Sequence, residues 1–312
     1  MAFMLKDMVK KEWRLASGHR LCPGCPAPTL VKLALMAIDY DVVVANATGC
    51  LEVSTTIYPY SAWKVPWIHN AFENAAATIS GVEAAYKALK KKGKINRDIK
   101  FIAFGGDGGT YDIGIQALSG AIERGHDFLY ILYDNEGYMN TGNQRSGATP
   151  TGANTTTVPV GKKSLGKLRV KKNITEIIAG HGRVYVAQAS ISHWQDFMNK
   201  VKKGVEYEGP AFINAFSPCV RFWRVRSDQA MEVAKLGVET NYWPLYEVVD
   251  GVYKINYKPR KPKPLEEFLK IQGRFSHLFK REGGKELIEE SQMEVNRRWE
   301  RLLKLEEATK QS

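Results

Sequence analysis

The sequence predicts an α/β fold in which helices cover both faces of a mostly parallel sheet. Short apolar runs with the length of buried strands alternate along the chain with amphipathic stretches that have the period of helices. Several of these runs end in glycine, asparagine or aspartate, as strands do where they enter the turns of βαβ units. The 312 residues are 44% hydrophobic and 25% charged, which is typical of a globular protein of one or two domains.

The first elements are a helix, a strand and a long helix. Pro28 is well placed in the first turn of a helix that continues to about Ile38. Residues 42–45 are apolar and β-branched, which predicts a buried strand. Residues 70–91 are rich in alanine and predict a long helix, with Gly93 as its stop signal.

The clearest unit of the sequence is a βαβ unit. An apolar run at 101–104 ends in the triplet GDG at 106–108, and an amphipathic helical pattern follows. A second apolar run at 128–133 ends in the sequence DNEG at 134–137. Parallel strands joined in this way end at the same edge of the sheet, so the two turns lie side by side in the crevice where open α/β sheets bind ligands.

The two turns carry oxygen ligands and glycines. Asp107 and Asn135 offer hard oxygen atoms that suit Mg²⁺, and the backbone carbonyl of Gly137 could add a third. Glycines beside Asp107 let backbone N–H groups approach a diphosphate at the start of a helix. Taken alone, a GDG triplet is weak, because glycine-rich turns of this kind are often only structural.

The chain loses its periodicity after residue 137 and then regains it. Residues 138–173 are rich in Gly, Thr, Asn and Lys, which predicts a functional loop. Helices and strands then alternate until a last helix closes the domain. The predicted helices are 174–179, 193–203 and 227–239, and the predicted strands are 184–188 and 211–216.

A Pro/Lys linker at 258–264 precedes a stretch of mixed-charge amphipathic helices at 265–305. We predict an α/β domain at 1–257 and a linker with a C-terminal helical arm at 258–312 that contacts partner subunits. A free, solvated helix pair is the alternative. The arm carries apolar side chains that a single domain need not bury, namely Leu265, Phe268, Leu269, Phe275, Leu278 and Phe279.

Four cysteines form a second signal: Cys22, Cys25, Cys50 and Cys219. Cys22 and Cys25 form a CPGC knuckle that can place two thiolates on one metal, and the other two follow predicted strands. The spacing supports a zinc site and an iron–sulfur cluster equally, because four cysteines serve both. The alternative without a metal is a redox-active CxxC together with two buried thiols.

The two signals together resemble one family. The spacing from GDG to Asn135 resembles the thiamine diphosphate motif of thiamine-dependent enzymes. The resemblance also includes the segments ATGCLEVSTTIYPYSAWKVPWIHNAFENAAA, YDNEGYMNTGNQRSGATP, SPC and PLEEFLKIQGRFSHLF. The chain thereby resembles the beta subunit of the 2-oxoacid:ferredoxin oxidoreductases, most closely the pyruvate:ferredoxin branch, over nearly its whole length.

The resemblance implies a thiamine diphosphate-binding fold and three cofactors. These are thiamine diphosphate, Mg²⁺ held by Asp107, Asn135 and the Gly137 carbonyl, and a 4Fe–4S cluster at the four cysteines. Asn140 is placed beside the substrate, where its amide could hydrogen-bond a developing oxyanion, and a turn asparagine is the alternative. The implied cofactor-binding residues are Gly49, Cys50, Gly106, Asp107, Gly108, Gly109, Asn135, Gly137 and Asn140.

The implied reaction is the oxidative decarboxylation of a small 2-oxoacid, with electrons passed through the cluster to ferredoxin. Pyruvate is the first choice of substrate. Oxalate is second, because Arg221, Arg224 and Arg226 replace the usual family sequence after Cys219, and a branched or aromatic 2-oxoacid is third. Use of coenzyme A stays open. The implied partners are alpha, gamma and delta-type subunits, one of which supplies the glutamate that activates the cofactor. A non-catalytic electron-transfer or scaffold subunit is the alternative from another class.

Composition narrows the cellular setting. The net charge of +12 does not predict nucleic-acid binding, because the two basic loops are not interleaved with aromatic residues. We interpret them as solvated loops, with docking of an acidic ferredoxin or subunit as the alternative. The sequence has no signal peptide and no run of 18 apolar residues, which predicts a cytoplasmic protein that does not cross a membrane. The basic residues are Lys162, Lys163, Lys167, Arg169, Lys171 and Lys172 in one loop and Lys258, Arg260, Lys261 and Lys263 in the other.

Overall fold

A computed structural model gives the structure of the chain and describes residues 3–310. The outermost residues of the two predicted domains, 1–2 and 311–312, lie outside the described part. The predicted fold class is confirmed: a mostly parallel sheet of eight strands has helices on both faces.

The strands of the sheet follow apolar, β-branched or aromatic segments, which pack well on a pleated surface. Two further strands of two residues each form a small ribbon inside the loop predicted at 138–173. The strands are β1 Asp41–Ala47, β2 Trp67–Asn70, β3 Ile99–Gly106, β4 Phe128–Asp134, β5 Val160–Gly161, β6 Ser164–Leu165, β7 Tyr185–Ser190, β8 Pro210–Phe216, β9 Leu245–Val249 and β10 Val252–Tyr257.

The helices connect these strands, and the longest one lies at the C-terminal end. The segment after β3 starts as a π-helical turn, Gly108–Ile113, before it becomes α-helical. The α-helices are α1 Leu5–Met8, α2 Ala27–Met36, α3 Cys50–Thr55, α4 Ala75–Lys91, α5 Ile115–Glu123, α6 Ile174–Ala179, α7 Trp194–Glu206, α8 Ala230–Glu239, α9 Leu265–Lys270 and α10 Gly284–Thr309.

The order of strands across the sheet is β10-β9-β7-β8-β4-β3-β1-β2. The six strands from β7 to β2 are parallel to one another. At one edge of the sheet, β9 pairs antiparallel with both β7 and β10. From β1 the chain moves outward to β2, and from β3 it moves the other way to β4. The carboxyl ends of β1, β3 and β4 therefore meet at a point where the strand order reverses, which is the usual place of a ligand crevice.

Two apolar cores cover the two faces of the sheet. One includes Leu30 of α2, Phe197 of α7 and Phe268 of α9. The other includes Ile79 of α4, Leu118 of α5 and Leu302 of α10. Because both faces are buried, the central strands are mostly apolar, and all seven residues of β4 and of β8 are buried, including Asp134 and Asn214.

The predicted long helix begins later than expected. Asn70 is the last residue of β2, where its neighbours pair with β1, and α4 starts only at Ala75. A turn closed by the Asn74 N–H on the Ala71 carbonyl separates the two elements. The C-terminal end agrees with the prediction, since Gly93 has a φ of 67° and its N–H bonds the Lys90 carbonyl.

An antiparallel hairpin follows the helix that was expected to close the domain. Strands β9 and β10 are joined at Asp250 and Gly251, which have φ values of 49° and 85°. An Asp-Gly pair between alternating apolar residues is a strong hairpin signal, because both turn positions need a positive φ. The prediction missed this signal, and the sheet gains its antiparallel edge there.

The apolar side chains of the C-terminal segment are buried within the chain itself. Phe268 and Phe275 are both 0% exposed, and Leu265, Leu269 and Leu278 are nearly so. They pack in the same core as the sheet. The expectation that these five positions remain free for a partner is therefore wrong, whereas the sixth, Phe279, is half-buried against the same core. The division of the chain after residue 257 stays a prediction.

No helix within residues 3–310 has the length and apolar character needed to cross a membrane.

Candidate functional site

One cleft at the carboxyl edge of the sheet gathers residues from three strand ends. Cys50 follows β1, Asp107 follows β3 and Asn135 follows β4. Most of the predicted cofactor-binding residues line this cleft together, and Gly109 lies beside it. The lining includes Gly49, Cys50, Gly106, Asp107, Gly108, Asn135, Gly137 and Asn140.

The amide of Asn135 stands between two oxygen atoms. One of its terminal atoms lies 2.9 Å from Asp107 Oδ1 and 2.9 Å from the Gly137 carbonyl oxygen. With nitrogen on that side, the amide donates to both oxygens. With oxygen on that side, three oxygens converge, which requires a cation between them. Neighbouring ligands of an octahedral Mg²⁺ lie about 2.9 Å apart, since each bond is about 2.0–2.1 Å long. The three groups therefore fit Mg²⁺.

The carboxylate of Asp107 lies in an environment that favours a cation. The residue is fully buried, and its Oδ2 accepts a hydrogen bond from Ser146 Oγ at 2.5 Å. Burial raises the pKa of Asp107 well above its ordinary value, and the nearby negative charge of Asp134 raises it further. A bound divalent cation would offset both effects.

The turn that carries Asn135 and Gly137 has a strained centre. Glu136 has a φ of 64°, in the left-handed region that costs a non-glycine residue about 1–2 kcal/mol. Its N–H donates to Asp134 Oδ1 at 3.0 Å, and its carbonyl accepts from Thr149 Oγ1 at 2.8 Å. These bonds keep the turn in a conformation that it would not prefer alone.

A buried charge network lies behind the turn. The Glu136 carboxylate accepts from Lys171 Nζ at 3.0 Å, from Arg274 Nη2 at 2.5 Å and from the Tyr242 hydroxyl. Lys171 also bonds Asp134 Oδ2 at 3.0 Å. Burial by itself would raise the pKa of Glu136, but the two cations outweigh it and hold the pKa below its ordinary value. The carboxylate is therefore ionised and fully paired.

An indole completes the support of the turn. Trp223 is 0% exposed, and its Nε1 donates to the Asn135 carbonyl at 2.9 Å. The guanidinium carbon of Arg274 lies 3.6 Å from the centre of the same indole ring. Backbone and side chain of the turn are thus held from behind, while the oxygens of the predicted ligands face the cleft.

Of the four cysteines, Cys50 lines this cleft. They form no disulfide, and Cys22 is exposed while the other three are half-buried. Burial raises the pKa of Cys25 to about 12 and that of Cys50 to about 12, and the charges of the other cysteines add to both effects. The thiols are therefore close enough to act on one another.

Packing brings the CPGC knuckle to the Cys219 segment. The Cys25 N–H bonds the Cys22 carbonyl at 3.0 Å, and Gly24 at the tip has a φ of 78°. A Cβ on Gly24 would stand 2.1 Å from the Ser227 carbonyl oxygen, so only glycine allows this approach. The knuckle and the chain after Cys219 are therefore in direct contact.

The spacing of the cysteines bears on the kind of site. In the part of the chain that the structure describes, no three His, Cys, Asp or Glu side chains are grouped as ligands of a single ion. Sulfur ligands of one tetrahedral zinc lie about 3.8 Å apart. Thiolates of a 4Fe–4S cluster are farther apart, because each binds a different iron. Within residues 3–310 the thiols are not grouped around one ion, and the 4Fe–4S cluster at the four cysteines stays a prediction.

The glycines of the cleft are required by packing as well as by any ligand. A Cβ on Gly108 would stand 2.6 Å from the Tyr138 ring, and one on Gly109 would stand 2.8 Å from the Phe72 carbonyl. A Cβ on Gly49 would stand 2.7 Å from the Tyr133 hydroxyl, which is buried and has no hydrogen-bond partner among the described residues. Small residues therefore keep the cleft open.

Asn140 lies at the exposed rim of the cleft, next to Thr141. The arginines considered for a second carboxylate, Arg221, Arg224 and Arg226, are all exposed, and none of them lines the cleft. Arg226 is paired with Asp228 at 2.6 Å.

Several supporting residues were missed or misinterpreted. Lys167 and Lys171 were interpreted as members of a solvated loop, but Lys167 is 3% exposed and Lys171 is paired with two buried carboxylates. The sequence DNEG did indicate that a cation is needed, because its two carboxylates follow a buried strand and buried carboxylates are paired with cations. Ser146, Trp223 and Arg274 carried no local signal, because their partners are distant in sequence.

Comparison with known proteins gives a consistent result. Residues 47–215 match the family described as thiamine pyrophosphate enzyme, C-terminal TPP binding domain. Pyruvate synthase subunit PorB of Thermotoga maritima is 63% identical, over 98% of this chain and 96% of its own. Ketoisovalerate oxidoreductase subunit VorB of Pyrococcus abyssi is 46% identical, over 93% of each chain. A 2-oxoglutarate:ferredoxin oxidoreductase from Magnetococcus marinus shares the fold, with a TM-score of 0.56 and 23% identity over 75% of this chain and 83% of its own.

Proposed function

The chain belongs to the beta subunits of the 2-oxoacid:ferredoxin oxidoreductases, the thiamine-dependent family of the PorB subunits, and we propose that its substrate is pyruvate. The identity of 63% to a pyruvate synthase subunit exceeds the 46% to a ketoisovalerate oxidoreductase subunit. Oxalate is not favoured, because its second carboxylate calls for cations in the cleft and the three candidate arginines lie outside it.

The observation that carries the catalytic assignment is the convergence of Asp107, Asn135 and the Gly137 carbonyl at 2.9 Å spacing. A scaffold subunit would not need three oxygen groups at this distance around a buried carboxylate. In our proposal these groups hold Mg²⁺, which binds the diphosphate of the thiamine cofactor. Cys22, Cys25, Cys50 and Cys219 hold a 4Fe–4S cluster.

The residues of this chain bind and orient the reactants. Thiamine diphosphate supplies the nucleophile and electron sink for loss of CO₂ from a 2-oxoacid, and a 4Fe–4S cluster supplies a one-electron acceptor. Gly49 and Cys50 are adjacent and both line the cleft, so a cluster ligand lies directly beside the cofactor position. Asn140 at the rim donates a hydrogen bond to the substrate oxygen that gains negative charge.

The site needs other subunits. The cleft of this chain encloses about 30 Å³, which accommodates only part of a cofactor. We propose that an alpha-type subunit covers it and supplies the activating glutamate, and that gamma and delta-type subunits pass electrons to ferredoxin. Of the predicted arm at 258–312, the outer side of α10 is left for a partner, where Met293 is exposed. The four unbridged cysteines agree with a reducing, cytoplasmic location.

The substrate is tested by reduction of a viologen with the purified complex, given pyruvate, ketoisovalerate or oxalate in turn. Pyruvate should give the highest kcat/KM, and a higher value with either of the other acids would contradict the assignment. The cluster is tested separately by iron and acid-labile sulfide, at about four of each per chain. Stoichiometric zinc without sulfide would contradict the cluster alone.

A further inference from the structure

The turn of Asn135 and Gly137 is supported by two residues that no sequence pattern assigns to the site. Trp223 donates from its indole to the Asn135 carbonyl at 2.9 Å, 88 residues along the chain. Arg274 bonds Glu136 at 2.5 Å, 138 residues along the chain, and stacks on the Trp223 ring. One residue thus holds the backbone of the turn, and the other holds its central side chain.

Trp223 is itself fixed within the loop that begins at Cys219. Its N–H bonds the Cys219 carbonyl at 3.0 Å, and the Arg274 N–H bonds the Trp223 carbonyl at 3.3 Å. The indole also lies 5.6 Å from the ring of Phe216, at the end of β8. Because the indole is anchored on three sides, its N–H holds a defined position toward the turn.

We propose that Trp223 and Arg274 are positioning residues for the Mg²⁺ site. They hold Asn135 and the Gly137 carbonyl at ligand spacing and join this turn to the loop that carries Cys219. The inference rests on the proposed function, since it takes these two groups as Mg²⁺ ligands.

The physical reason is the strained conformation of the turn. Glu136 occupies the left-handed region, which the turn leaves if its external bonds are lost. Without the indole N–H, the partly buried Asn135 carbonyl would lose its donor and would rotate toward another one. The Asn135 side chain directly precedes the peptide between residues 135 and 136, and the Gly137 carbonyl follows it in the same turn. Rotation of this peptide would therefore move both ligand groups. Residues that orient metal ligands in this way typically change metal affinity by about 10–100-fold when they are replaced.

The test compares Trp223→Phe with a matched control, Trp243→Phe, in the intact multi-subunit complex. Trp243 is also buried and also donates from Nε1 to a backbone carbonyl, that of Ala189 at 2.7 Å. Among the described residues its indole makes no hydrogen bond to the Asn135 turn, and its ring, 4.4 Å from Lys171 Nζ, leaves an aromatic face there when phenylalanine replaces it. Retention of thiamine diphosphate is measured against free Mg²⁺ concentration. Trp223→Phe should need about 10–100-fold more Mg²⁺, with unchanged iron content and an unchanged KM for the 2-oxoacid. Excess Mg²⁺ should restore kcat, and the control should behave as wild type.

A second variant, Arg274→Lys, keeps the positive charge but loses the planar fork and its stacking on Trp223. It should raise the Mg²⁺ requirement in the same direction, and it decides the matter if Trp223→Phe does not fold.

An unchanged Mg²⁺ requirement in whichever variant folds would overturn the proposal. So would equal weakening in Trp223→Phe and Trp243→Phe, or loss of iron from Trp223→Phe. Asp107→Ala separates the two levels of inference. If Asp107→Ala loses the cofactor while Trp223→Phe keeps it, the positioning role fails and the proposed function stands. If Asp107→Ala keeps the cofactor, the proposed Mg²⁺ site fails.

Discussion

The two sides of the Asn135–Gly137 turn are built in opposite ways. On the cleft side, the oxygens of Asp107 and Gly137 lie 2.9 Å from the Asn135 amide, and the Asp107 carboxylate forms no ion pair in the described part of the chain, where Ser146 is its hydrogen-bond donor. On the rear side, the Glu136 carboxylate is bonded by Lys171, Arg274 and Tyr242. The rear side is therefore completed by the protein itself, and we propose that Mg²⁺ completes the charges on the cleft side.

The largest effect should come from removing the C-terminal part of the rear support together with the core residues around it. Truncation after Pro259 deletes Phe268 and Phe275, both 0% exposed, each worth roughly 1.5–3 kcal/mol of burial. It also deletes Arg274 and leaves Glu136 with one cation, a loss of about 3–5 kcal/mol when a buried pair is broken. We expect no soluble folded chain, in contrast to the independent domain that the sequence predicts.

This truncation is measured by soluble expression and circular dichroism. Met293→Ala, an exposed change in the same segment, is the control and should fold normally. A truncated chain that unfolds cooperatively would show that the rear support is dispensable.

The cleft side should respond to Asp107→Ala with loss of binding but not of folding. Removing a charged ligand from a buried diphosphate site should cost on the order of several kcal/mol in Mg²⁺-dependent binding of thiamine diphosphate. Iron content should be unchanged. Bound thiamine is measured after gel filtration in Mg²⁺, with Asp98→Ala, an exposed aspartate paired with Lys90, as control.

The rear side should respond to Glu136→Gln with loss of both stability and binding. Glutamine keeps the shape but leaves Lys171 and Arg274 with too little negative charge, at a cost of about 3 kcal/mol. The midpoint of thermal unfolding should fall, and the Mg²⁺ requirement for thiamine diphosphate should rise. If the variant is less stable but binds the cofactor normally, Glu136 stabilises the fold and does not position the Mg²⁺ ligands.

Glu247 offers a comparison for Glu136 far from the cleft. It is buried on β9 and accepts from Lys203 Nζ at 2.6 Å and from the Tyr185 hydroxyl at 3.0 Å. Burial by itself would raise the pKa of Glu247, but the Lys203 hydrogen bond outweighs it and the pKa is lowered from 4.5. Its contribution to stability is therefore present above pH 4.5 and is lost as the pH falls through the lowered value.

Glu247→Gln should then reduce stability at neutral pH by about 1–3 kcal/mol, with a smaller loss in acid. Thermal unfolding from neutral pH down to the acid limit measures this. Binding of thiamine diphosphate should not change. If it weakened, the effect of Glu136→Gln on binding would not be specific to the turn behind the cleft.

The cleft side was predictable because its parts are local. Asp107 and Asn135 each follow an apolar run directly, and parallel strand ends must meet at one edge of the sheet. The rear side was not predictable, because Arg274 and Trp223 gain their partners only through tertiary contacts far along the chain. The β9–β10 hairpin lies between these cases: its Asp-Gly turn was visible, and its place at the sheet edge was not.

The start of α4 shows that amino-acid composition predicts the presence of a helix better than the residue at which it begins. The alanine-rich pattern correctly indicates helix from Ala75 onward, but residues 70–74 were included because nothing local separates a strand end from a first helical turn. Pairing of Asn70 beside β1 decides the boundary. The apolar side chains after residue 265 were visible in the sequence, but nothing local showed that they pack in the core of the same chain.

The distance along the chain between Glu136 and Arg274 sets an order of events during synthesis. Ribosomes add about 5–20 residues per second, so the 138 residues between them take roughly 7–28 s to make. During that interval the turn lacks its arginine, and the carboxylate behind it is incompletely paired. The Asn135–Gly137 turn therefore gains its full rear support only after the segment that carries Arg274 has been made.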